Sequence, residues 1–109
     1  MSKIRAIIKR PDEEYGHVAH ISATLENLQK TVGGFIETVP VTESDVIICN
    51  EEGKLLNLPV NFRLYGDSIY SDTIRGDIIV IGTEGDEFTD VRMDFKVWKQ
   101  LVDKWEGRG

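Results

Sequence analysis

Four consecutive β-branched residues, Ile78-Ile79-Val80-Ile81, stand between Gly76-Asp77 and Gly82. Side chains along a strand alternate between the two faces of its sheet, so an unbroken apolar run leaves neither face for water. The run predicts a strand covered on both faces, and the most buried one in the molecule. A chain of 109 residues is the size of one core, and residues 1–109 are expected to form a single globular domain.

The remaining segments supply neighbours and cover for that strand. In Lys3–Lys9, the two-residue period puts Ile4, Ala6 and Ile8 on one face and Lys3, Arg5 and Lys9 on the other, which predicts a half-buried strand. Pro11–Gly16 breaks it, and His17–Ile21 resumes extended character as an antiparallel partner. Leu25, Leu28 and Val32 recur at three- and four-residue steps, the spacing of one helical face. Thr24 is the expected N-cap and Gly33 the expected stop. Phe35–Val41 and Asp45–Asn50 read as two central strands, Glu51–Lys54 as a turn, and Leu55–Tyr70 as an irregular stretch. In the tail, Phe95, Trp98, Leu101, Val102 and Trp105 share a helical face within 92–106. The aromatic face is expected to dock on the domain or on a second subunit. The fold class is α+β: a small mixed or antiparallel sheet with one short central helix and one C-terminal amphipathic helix.

Charge narrows the partners. With 19 acidic and 13 basic side chains the formal net charge is -6, which argues against direct binding to nucleic acid or to an anionic membrane surface. No apolar run approaches the roughly 20 residues of a spanning helix, and the opening residues lack a secretory cleavage pattern. A cytoplasmic setting is the expectation. The single cysteine, Cys49, closes the apolar run Val46-Ile47-Ile48, where a thiol is structural and inert. His17 and His20 would point to opposite faces of a strand and share no metal. Glu51 and Glu52 lie in a turn where carboxylates face water. Gly33-Gly34 sits at the wrong end of a helix for a phosphate loop, and neither nucleotide-binding glycine pattern occurs. No catalytic constellation, metal set or cofactor is expected.

Asn50–Arg63 mixes amides, charges and a proline bend, and two readings of it stand. In one, Asn50, Asn57 and Asn61 satisfy loop backbone groups. In the other, Asn50 and Asn61 read the polar edges of a ligand, Lys54 and Arg63 neutralise an anion, and Tyr65 or Phe62 offers a stacking face. Arg75, beside Gly76, joins them if the two loops meet.

Leu25–Lys30, Val32-Gly33-Gly34-Phe35-Ile36-Glu37, Cys49-Asn50-Glu51-Glu52-Gly53-Lys54, Leu58-Pro59, Asn61, Arg63 and Ile74-Arg75-Gly76 together resemble the domain-of-unknown-function family DUF3846, common in phages, plasmids and bacterial mobile regions. Leu64 and the aromatic tail depart from the family pattern. The resemblance implies a compact domain in a mobile-element setting and assigns no chemistry. Two expectations follow from that setting: a nonenzymatic small-ligand binder that sequesters a nucleotide immune signal, or an inhibitor that binds a host defence or regulatory protein. Self-association into a homo-oligomer is a further expectation.

Overall fold

A computed structural model describes residues 3–64 and 72–108. The chain runs through β1 (Ile4–Lys9), β2 (His17–Ile21), α1 (Leu25–Val32), β3 (Ile36–Pro40), β4 (Asp45–Asn50), β5 (Val60–Leu64), β6 (Asp72–Arg75), β7 (Ile78–Glu84), β8 (Glu87–Thr89) and α2 (Phe95–Trp105). The main sheet is antiparallel throughout, in the order β2-β1-β7-β4-β3, with β8 also paired to β7. β1 meets β7 at Ile78–Val80 and β8 meets it at Gly82–Glu84, so the two share one lane beside the central strand.

Alternation along the strands divides the core in two. Ile79 and Ile81 of β7, Val46 and Ile48 of β4 and Ala6 of β1 face Leu28 and Val32 of α1. Ile78 and Val80, Ile47 and Cys49, and Ile7 face the other way, onto α2 and the β5–β6 hairpin. The four-residue β-branched run is thus fully buried, as its sequence predicts.

Local chemistry fixes the helices. Thr24 accepts from Asn27 N–H, and Gly33 ends α1 at φ 82°, a left-handed conformation that glycine takes without a Cβ clash. Leu28 and Val32 anchor α1, each contributing about 1.5–3 kcal/mol by burial. α2 is positioned from both sides. The buried Asp45 carboxylate accepts from Arg92 N–H (2.8 Å) and Met93 N–H (3.0 Å). Tyr15 donates its hydroxyl to Asp103 and takes the Trp98 indole N–H on its carbonyl.

Three expectations are corrected. β1 is not half-buried: the face carrying Arg5, Ile7 and Lys9 lies under α2 and the hairpin, and Lys9 is 2% exposed. Among the described residues β3 is an edge strand, with β4 alone beside it. Residues 60–64 of the stretch read as irregular form β5, which carries a bulge between Val60 and Phe62.

Candidate functional site

The turn after β4 is organised by Asn50. Its side-chain oxygen accepts from Glu52 N–H at 2.7 Å, while its amide donates to Val32 O at 3.1 Å, so one buried side chain ties the turn to the end of α1. Backbone bonds from Gly53 to Asn50, Leu56 to Glu52, Asn57 to Lys54 and Leu58 to Gly53 close the segment. Asn57 adopts a left-handed conformation, φ 51°, which asparagine tolerates better than most residues. The turn packs tightly on β6, for a Cβ on Gly53 would stand 3.3 Å from Arg75 Cβ.

Between this turn, the β3–β4 edge and β6 lies a cleft of about 200 Å³. Val39, Cys49, Leu55 and Ile74 form its apolar lining, and Glu37, Glu51, Lys54, Thr73 and Arg75 are among its polar residues. Arg75 is held by one arm: Nη1 donates to Leu58 O at 2.9 Å and lies 3.5 Å from Asn57 Oδ1. Its Nε is buried with no hydrogen-bond partner among the described residues. An orphaned buried donor is costly and uncommon in folded proteins, and on a guanidinium it is one of the N–H groups that a carboxylate or phosphate accepts from in a side-on pair.

The structure therefore brings Lys54 and Arg75 to one cleft, together with Asn50, and separates the others. Asn50 and Asn61 are both buried, with their amide atoms engaged inside the protein. Asn61 Oδ1 accepts from Lys9 Nζ at 2.5 Å, and its nitrogen donates to Lys9 O and Gly76 O. The first of the two readings of these amides, satisfaction of loop backbone groups, describes their bonds. Arg63 stands exposed on β5 and does not line the cleft. Phe62, 1% exposed, stacks on Trp105 in the core and presents no face to a ligand. Tyr65 lies outside the described residues.

Sequence reasoning missed Glu37, Glu51 and Thr73 as wall residues. By sequence Glu51 is a solvated turn residue, and Glu37 and Thr73 reach the cleft through strand pairings that no local pattern encodes. With two carboxylates and two cations around it, the cleft focuses less positive charge than the loop sequence suggests. Cys49 is buried among core residues at its base. His17 lies opposite Ile8 and His20 opposite Arg5, on the two faces of β2, and His17 Nδ1 is 3.0 Å from Glu13. Among the described residues no helix is long and apolar enough to cross a membrane.

Comparison with known proteins returns one family: the model for "Domain of unknown function (DUF3846)" matches residues 4–105. No curated protein and no solved structure matches the chain.

Proposed function

The chain belongs to the DUF3846 family, and from that premise, which carries no assigned activity, we propose that it binds a small anionic ligand without turning it over. The observation that supports this reading is Arg75, whose buried Nε has no hydrogen-bond partner among the described residues and which lines the same cleft as Lys54. A volume of about 200 Å³ suits a phosphate or carboxylate group and a few neighbouring atoms, below the ~300–1,000 Å³ of pockets that enclose whole drug-sized ligands. A nucleotide would seat its phosphate here and leave its base outside. In a phage or mobile-element cytoplasm such a protein would act by sequestering a host nucleotide signal.

Calorimetry with inorganic phosphate and a panel of signalling nucleotides tests this. Arg75→Gln and Lys54→Gln should each weaken binding about tenfold or more, and affinity should fall with added salt. Arg63→Ala, outside the cleft, should bind as the parent does. No binding by any anion, or full binding by Arg75→Gln, overturns the site.

An inhibitory protein-binding role has its own supporting observation. Phe35 (64% exposed), Leu55 (83%) and Leu56 (55%) present apolar side chains at one end of the sheet, where Phe35 O accepts from Glu51 N–H and the turn begins. Phe35→Asp with Leu56→Asp, neither of which lines the cleft, would abolish a partner contact there and leave phosphate binding intact.

A further inference from the structure

A second and larger cavity, about 480 Å³, opens where four distant segments converge: Arg10-Pro11-Asp12 after β1, the last turn of α1, Leu58-Pro59, and Gly76-Asp77 before β7. It shares no lining residue with the Arg75 cleft, and its argument is independent of the function proposed above. Its size falls within the ~300–1,000 Å³ typical of small-molecule sites.

The interior has little to offer a polar ligand. Leu58 O is taken by Arg75, Pro59 O by Gly76 N–H, Gly76 O by Asn61 and Val32 O by Asn50. The Thr31 hydroxyl is directed to Asn27 O. Proline contributes no N–H, which removes Pro11 and Pro59 as donors. Most of the remaining lining is carbon from Leu58 and the two prolines, so an apolar body suits an occupant.

Charge is confined to the rim. Arg10 Nε and Asp77 Oδ2 face each other at 4.0 Å with side chains 61% and 41% exposed, a pair loose enough to exchange partners at little cost. Asp12 adds a second carboxylate. A purely anionic head would meet two like charges, and a purely cationic head would meet Arg10. A head carrying both charged groups on one carbon can set its carboxylate on the Arg10 fork and its ammonium on Asp77 or Asp12.

We propose that this cavity binds a free α-amino acid with a bulky apolar side chain, of the leucine or phenylalanine class. The side chain fills the carbon-lined interior and the zwitterionic head replaces the Arg10–Asp77 contact. The terminus of a longer peptide brings only one of the two charges and is a poorer match.

The test titrates the full chain, followed by amide chemical shifts, with leucine, phenylalanine, glycine, isoamylamine and 4-methylpentanoate. Leucine and phenylalanine should shift the amides of Asp12, Thr31, Gly76 and Asp77. The amine and the acid, each with half the head, should bind at least about tenfold more weakly, as should leucine to R10Q or D77N. Both substituted side chains are surface-exposed, so the variants keep the fold, and both should retain phosphate binding at the Arg75 cleft. Equal binding of amine and leucine, equal binding of acid and leucine, binding of glycine alone, full binding by both variants, or no shift at millimolar amino acid each overturns the proposal.

Discussion

Lys9 ends β1 inside the protein, its ammonium donating to Asn61 Oδ1 and lying 5.6 Å from the centre of the Phe62 ring. Burial pushes its pKa below the usual lysine value, with Glu106 and Glu13 acting in the opposite sense. A lowered folded-state pKa means that the unfolded chain binds more protons between that value and about 10.4. Stability should therefore rise as pH increases through this window, and the cost of holding the charged form is greatest below it. Urea denaturation on the alkaline side below about pH 10, where the raised Tyr15 hydroxyl does not yet act in the opposite sense, should show that rise in the parent protein, with a flatter profile in Lys9→Met. Asn61→Leu should cost about 2–4 kcal/mol, because it strands the Lys9 ammonium and two carbonyls in the interior. Neither role was legible in the sequence. Lys9 fits a solvated alternate position unless the hairpin over it is known, and Asn61 turns inward beside Phe62 only because the β5 bulge breaks alternation.

Helices and inner strands were easier to read than edges. α1 announces itself by its cap, its apolar spacing and its glycine stop, and α2 by aromatics at helical steps. Trp98 and Trp105 pack edge-on to each other and both against Phe62, so Trp98→Ala should cost about 3–5 kcal/mol and truncation before Met93 should unfold the chain. Retention of the parent melting temperature by the truncated protein would contradict this packing. β5 and β6 escape sequence reading because a short, bulged hairpin has neither a long run nor strict alternation, and the sequence puts β3 at the centre because strand order is not a local property. Edge position gives Pro40 a role. Phe35 O and Val41 N–H bond towards β4, so the alternate residues Ile36, Thr38 and Pro40 direct their backbone groups outward, and proline leaves that row one donor short. Pro40→Thr should restore the donor and promote concentration-dependent self-association, read by analytical ultracentrifugation.

At the scale of the molecule, two half-cores meet across one sheet, and β7 has a neighbour on each side along its length and cover on each face. Native-state hydrogen exchange should be slowest at Ile79–Ile81 and fastest at the outward-facing amides of β2 and β3, since only the former need global opening. The site residues could not be assembled from sequence for a related reason: the Arg75 cleft joins β3, β4, a turn and β6, and such a meeting is a property of topology. The pairing of Lys9 with Ile78 also has a consequence for biogenesis. At about 5–20 residues per second, a ribosome releases Ile78 several seconds after Lys9. Throughout that interval β1 has β2 but not β7 to pair with, so its inner edge stays open until the middle of its sheet arrives.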